Sequence, residues 1–281
     1  MPSLGAVPMP FVLLIASLVL AALVGGIVAR RSGEPSPRLF ATLFDMLLVG
    51  LIAARLVFVL QYSSLYLADP WSVFRPGDGG YSVWAGVLAG LAFGAWRARR
   101  SEALRRPLAW GAFTGLAAWG ILATSILLID RAQIRLPDTT LTALDGQQVQ
   151  LSALVGRPSI VNLWATWCPP CRREMPVLAE AQQSTAGVDF VFVNQGEEGD
   201  VIHAYLQQES LELRNVVIDP FSSVSRALGA RGLPTTLFFD SNGRLVDTHV
   251  GELTRASLAH KLKQLENGPR AARSSIDADS R

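Results

Sequence analysis

Cysteine is nearly absent from this chain: 281 residues contain only Cys168 and Cys171, with two prolines between them. A disulfide scaffold needs several bridges spread along the sequence, so the pair is a redox dithiol, a small structural bridge or half of a zinc site. Histidine is scarce as well, and His203, His249 and His260 stand in no ligand-like spacing. Zinc would need two further ligands, so the expectation is no metal and no cofactor. A structural bridge closing so short a loop would remove little unfolded-state entropy, which favours the redox reading. Charge is thin too, at 17% of residues with a net +2. The basic residues sit mainly beside apolar runs, which argues against nucleic acid as a partner.

Apolar residues are abundant, at 50% of the chain, and the mean hydropathy of +0.30 exceeds that of an ordinary soluble protein. Up to Ala132 the sequence is apolar with arginine clusters, and beyond it acidic and polar residues become frequent. The shift predicts a membrane domain over 1–132, a soluble domain over 133–267 and a disordered Ser-, Arg- and Asp-rich tail over 268–281.

Four apolar segments, near 11–29, 39–60, 82–96 and 108–129, predict a bundle of about four transmembrane helices. Three approach the ~20 residues that cross a bilayer, and the third is short. No Lys or Arg precedes the first, so it lacks the positive start of a signal peptide. Arg30, Arg31 and Arg38 follow the first segment, and Arg97, Arg99, Arg100, Arg105 and Arg106 follow the third, whereas the intervening loop has only Arg75 among Asp69 and Asp78. The positive-inside rule then places both termini, and the soluble domain, outside the cytoplasm. Gly86, Gly90 and Gly94, with Gly111 and Gly115, recur every four residues and offer faces for close helix approach. Asp45 and Arg55 either mark a site or snorkel from near the segment ends, the second being the favoured expectation.

Ala53-Ala54-Arg55-Leu56, Tyr66, Pro70 and the run Gly79 to Gly86 (GGYSVWAG) resemble the core of prolipoprotein diacylglyceryl transferases. That family has His-Gly where Trp84 and Ala85 stand here, and its later glycine- and asparagine-rich signature is missing. With no histidine before His203, the resemblance implies a related membrane fold without the lipid chemistry.

Strand and helix signals alternate from Thr139 to Leu265, which predicts an α/β layered domain. Residues 141–151 read as a hairpin turning at Asp145-Gly146, and 159–164 as a buried strand leading into the cysteine motif. The helix after it runs to about 183. Strands at 188–193 and 215–218 alternate with helices at 200–208 and 222–228, and strands at 235–239 and 244–250 precede a closing helix at 255–265. Cys168 would then open a helix, where the dipole and free N–H groups stabilise a thiolate. Cys171 is near enough to displace a substrate from the mixed disulfide.

The run Val161 to Pro176 (VNLWATWCPPCRREMP), with Gly232-Leu233-Pro234-Thr235-Thr236, resembles the TlpA/ResA-type reductases of the thioredoxin superfamily. The resemblance implies a thioredoxin-like fold, a redox-active disulfide between Cys168 and Cys171, a cis Pro234 facing them and Pro176 inside the active-site helix. Asn162 stands where thioredoxin has a buried Asp, so it cannot accept the Cys171 proton. Glu174 and Glu197 fall where ResA-type proteins place carboxylates beside the site. Glu174 is either functional or a solvated helix residue, and Glu197 leans toward the solvated reading. Trp167 is expected to cap the site, and all three histidines to lie on the surface.

These features predict a protein disulfide oxidoreductase held in the bacterial inner membrane as a multi-pass protein, its thioredoxin-like domain in the periplasm or outside the cell. Its expected partners are the lipid bilayer, disulfide-containing exported proteins and a membrane electron donor of DsbD or CcdA type, because the membrane half has no thiols of its own. No nucleic acid is expected among them. Cytochrome c maturation is one setting for such a reductase. Two alternatives stay open: a diacylglyceryl transferase with an appended redox domain, and a peroxiredoxin-type peroxidase.

Overall fold

The computed structural model describes residues 3–4, 7–31, 36–131 and 134–266. The expected tail at 268–281 and the expected junction at 132–133 lie outside the described residues. The chain divides into two compact units, 1–73 with 80–129 and 74–79 with 130–281.

The first unit is helical: α1 (Met9–Arg31), α2 (Ser36–Gln61), α3 (Ser63–Ala68), α4 (Val83–Arg100) and α5 (Glu102–Arg131). The short third apolar segment becomes an 18-residue helix because Arg97, Arg99 and Arg100 extend its last turn, where cations complement the negative end of the dipole. Among the described residues, 38–61 and 102–125 are long and apolar enough to cross a membrane. Phe44, Leu60, Trp84 and Phe113 are among the large apolar side chains left exposed. The chain is membrane-associated.

Glycines set the helix contacts. A Cβ on Gly50 would lie 2.9 Å from the Gly86 carbonyl oxygen, and one on Gly86 would lie 2.9 Å from that of Gly50, so α2 and α4 meet backbone to backbone. A Cβ on Gly111 would meet the Ala21 carbonyl at 2.9 Å in the same way, joining α5 to α1. Arg55 has specific partners in the segment that follows its helix. Its guanidinium donates to the carbonyls of Ser72, Val73 and Gly80 at 3.1, 3.0 and 2.9 Å and lies against Tyr66 and Tyr81. Ser72 and Val73 lie in a single short 3-10 helix over Pro70–Phe74; carbonyls at a helix end have no partner within the helix and need donors, and Arg55 supplies them. Asp45 is half-buried.

The second unit carries a seven-stranded sheet with β1 (Thr140–Ala143), β2 (Gln148–Gln150), β3 (Ser159–Trp164), β4 (Asp189–Gln195), β5 (Val216–Asp219), β6 (Thr235–Phe239) and β7 (Leu245–Val250). Their order is β2-β1-β5-β4-β3-β6-β7. β3, β4 and β5 are mutually parallel, and β6 runs antiparallel to β3. Helices α6 (Pro169–Ser184), α7 (Gly199–Gln208), α8 (Ser223–Ala227) and α9 (255–266) complete the unit. Every residue of β3 is buried, as a central parallel strand covered on both faces requires. Ile160 and Trp164 pack in one apolar cluster and Val161 and Leu163 in another. This is the predicted thioredoxin-like α/β architecture. Its consequence is positional: the C-terminal ends of β3, β4 and β5 and the start of β6 share one end of the sheet.

The Gly50–Gly86 approach is testable. Gly50→Val should destabilise the helical unit by about 1–3 kcal/mol, the usual cost of overpacking. Gly120→Ala should be tolerated, since nothing lies within 4 Å of the place its methyl group would take. Thermal unfolding of the full chain in detergent measures both, and equal midpoints for the two variants would contradict the packing described.

Candidate active site

Cys168 is the N-cap of α6 and Pro169 opens the helix. Proline suits that place, because its fixed φ is helical and the missing N–H would have had no helical partner. The two cysteines form a disulfide with Cα atoms 5.2 Å apart. Cys168 Sγ accepts the Cys171 backbone N–H at 3.3 Å. Cys168 keeps 3% of its surface exposed and Cys171 none, so what access exists belongs to Cys168. Trp167 beside it is 66% exposed. The Leu233–Pro234 peptide is cis and leads directly into β6, where Thr235 pairs with Leu163 of β3. Pro176 lies inside α6.

Glu174 lies one turn beyond Cys171, yet its side chain is not solvated: it is 0% exposed. Asn162 of β3 donates to one carboxyl oxygen at 2.8 Å, and the Leu253 backbone N–H donates to the other at 2.9 Å. Asn162 also donates to the Thr236 hydroxyl at 3.0 Å. Burial pushes the Glu174 carboxyl up to about 8, against the opposing effect of these two hydrogen bonds. Asn162 can serve both protonation states, because rotating its amide presents an oxygen to a protonated Glu174.

Glu197 is also more engaged than expected. Its carboxylate accepts from the Thr166 backbone N–H and the Asn194 amide, each at 2.7 Å, and from the Thr166 hydroxyl. It thereby fixes the loop that carries Trp167 and Cys168. The expectation of three surface histidines needs correction at His249, which is buried in β7. Burial, reinforced by Lys261, pushes its imidazole down to about 4. His203 is exposed and His260 half-buried.

The helical unit holds a cavity of about 500 Å³ between its long helices, lined by residues such as Leu18, Leu47, Leu51, Val87 and Trp119. Among the described residues of its lining, only Tyr81 is titratable.

The Glu174 environment has a measurable consequence. The folded chain holds this proton up to about pH 8, whereas a free glutamate releases it near 4.5. Between these values the folded state binds more protons, so stability falls as pH rises through the window. Thermal unfolding of the full chain should show that fall, and Glu174→Gln should flatten it and leave the variant the more stable of the two at pH 9. A wild-type profile flat from pH 5 to 9 would contradict the burial of this carboxyl.

The redoxin family model matches residues 131–266, and the prolipoprotein diacylglyceryl transferase model matches residues 11–128. Thiol-disulfide oxidoreductase ResA of Bacillus anthracis is 30% identical over 131 residues, which cover 46% of this chain and 75% of that protein. ResA of Geobacillus kaustophilus is 33% identical over 132 residues, again covering 46% and 75%. Among solved structures, that of MTB dsbF in its mixed oxidized and reduced forms is 25% identical, covering 46% of this chain and 95% of that one, with a TM-score of 0.43. The protein is a thioredoxin-like protein disulfide oxidoreductase with a diacylglyceryl transferase-like helical region at its N-terminus, and the chain belongs to the ResA family of thiol-disulfide oxidoreductases.

Proposed function

We propose that this chain is a membrane-anchored reductase of disulfides in exported proteins, working through Cys168 and Cys171. The observation that carries the reading is the placement of this pair at the start of α6, with the more accessible sulfur at the helix N-cap and a buried carboxyl one turn beyond the other. In the reducing direction, the Cys168 thiolate attacks one sulfur of the substrate disulfide and expels the other as a thiolate. Cys171 then loses its proton and attacks Cys168 Sγ, releasing the second substrate sulfur and leaving the Cys168–Cys171 disulfide. Two electrons pass from the dithiol to the substrate.

Glu174, with its carboxyl pushed up to about 8, has a proton affinity close to that of an ordinary thiol. It is matched to exchanging a proton with Cys171, the role for which Asn162 has no basic group. Exposed Trp167 flanks Cys168, the buried cis Pro234 is assigned to face the pair from the start of β6, and Glu197 positions the loop. The reducing direction is supported by Pro169 and Pro170, which carry no N–H and so withhold two donors from a Cys168 thiolate. Each such bond to a charged group contributes roughly 1.5–3 kcal/mol, and its loss favours the disulfide form.

Residues 1–132 serve as a multi-pass anchor and 133–267 carry the redox chemistry. The diacylglyceryl transferase alternative lacks a histidine before His203. The peroxiredoxin alternative would use an isolated cysteine rather than this adjacent pair. Oxidised enzyme is recharged by a membrane thiol donor of DsbD or CcdA type, and cytochrome c maturation is a setting in which such a reductase works.

Cys171→Ser should accumulate mixed disulfides with exported proteins, seen as bands lost on reduction, while Cys168→Ser should accumulate none. Trapping by Cys168→Ser alone would reverse the two roles. Compartment reporters fused after Arg38 and after Arg131 should read cytoplasm and exterior respectively, and the opposite pattern would put the dithiol in the wrong compartment.

A further inference from the structure

Phe221 is 79% exposed, although it sits in a turn held by several hydrogen bonds. The turn follows β5, and the buried Asp219 carboxylate fastens it by accepting from the backbone N–H groups of Ser223 and Val224 at 2.8 and 2.9 Å and from the Ser223 hydroxyl. Gln195 at the end of β4 donates to the same carboxylate at 3.2 Å. Ser222 is held at φ 50°, a left-handed conformation that a residue with a side chain adopts at some cost. Arg226 donates to the Phe221 carbonyl. A solitary exposed apolar residue is ordinary, but here a rigid, strained and well-bonded turn holds an aromatic ring in water.

The turn is stitched to the dithiol loop. The Gly196 N–H donates to the Asp219 carbonyl at 3.0 Å, the adjacent Glu197 accepts from Thr166, and Thr166 precedes Trp167 and Cys168 in the chain. Trp167 (66% exposed) follows β3, Val201 in the first turn of α7 (50%) follows β4, and Phe221 follows β5, strands that are adjacent in that order in the sheet. Neighbouring strands lie about 4.8 Å apart, so the ends of β3 and β5 are separated by roughly 10 Å, the length of about three extended residues.

We infer that Phe221 is a specificity-determining residue: it contacts an apolar side chain about three positions from the cysteine that Cys168 attacks, in an extended segment of the substrate protein laid across these strand ends. The inference rests on the reading of Cys168 and Cys171 as a dithiol that exchanges with protein disulfides.

The experiment uses the reduced full chain in detergent and follows oxidation by tryptophan fluorescence. Three disulfides are compared: a peptide disulfide with Phe three positions from its cysteine, the same peptide with Ser there, and hydroxyethyl disulfide. The wild type should oxidise about tenfold faster with the Phe peptide than with the Ser peptide, the modest end of what a buried aromatic contact contributes. Phe221→Ala should abolish that preference and leave the hydroxyethyl disulfide rate and the reduction potential unchanged, and Phe221→Leu should retain most of it. Val155→Ala, an exposed apolar position at the opposite end of β3, should behave as wild type. A preference that survives Phe221→Ala, or a loss spread equally over all three disulfides, overturns the role of Phe221. A wild type that reacts with none of the three overturns the dithiol reading itself.

Discussion

A carboxyl group taken fully out of water must be given partners, and around Glu174 that requirement organises the site. The side chain belongs to α6, its two donors come from β3 and from the segment after β7, and the donor on β3 is shared with β6. The helix that presents both cysteines is thus registered against the sheet by polar contacts inside an apolar cluster containing Trp164, Met175 and Leu178. A lateral slip of α6 would strand the carboxyl without hydrogen bonds, at the cost of leaving a buried polar group unsatisfied. The same contacts make the interior of the site sensitive to proton concentration, because the group that fixes the register is also one that titrates near neutrality.

The remaining positioning is done from the loops. Glu197 secures the stretch ahead of Cys168, and Asp219 secures the turn two strands away. Each uses a carboxylate to collect backbone N–H groups that the strand ends leave unpaired. Parallel strands finish together, so loops from β3, β4 and β5 gather at one end, and a few side-chain acceptors suffice to join them. The helical unit solves a different problem. There α2 and α4 meet backbone to backbone, and the facing Gly50 and Gly86 permit that closeness.

What is legible in the sequence is whatever is local. The apolar run at 159–164, the cysteine motif after it and the turn at Asp145-Gly146 are local patterns, and the structure has a strand, a helix start and a hairpin there. The arginine clusters and the glycine spacing are legible for the same reason. Burial of Glu174 is not, because its second donor, Leu253, is 79 residues away. Glu197 reads as solvated because its donors at Thr166 are 31 residues back in the chain. His249 reads as a surface residue, yet it is buried in β7. Arg55 reads as an ordinary segment-end arginine because nothing local shows that the carbonyls of Ser72, Val73 and Gly80 converge on it.

The chain has two cysteines, both in one bridge, and the little exposure that remains to the pair, 3%, is all on Cys168. Its electron store is therefore a single pair, with a single door. In the proposed reductase cycle, the protein that empties the store and the protein that refills it come to that same spot, and neither can be present while the other is. Turnover is consequently ping-pong, and the two partners compete. Raising the concentration of either one far enough must slow the cycle, since a reduced enzyme occupied by its donor is closed to substrate.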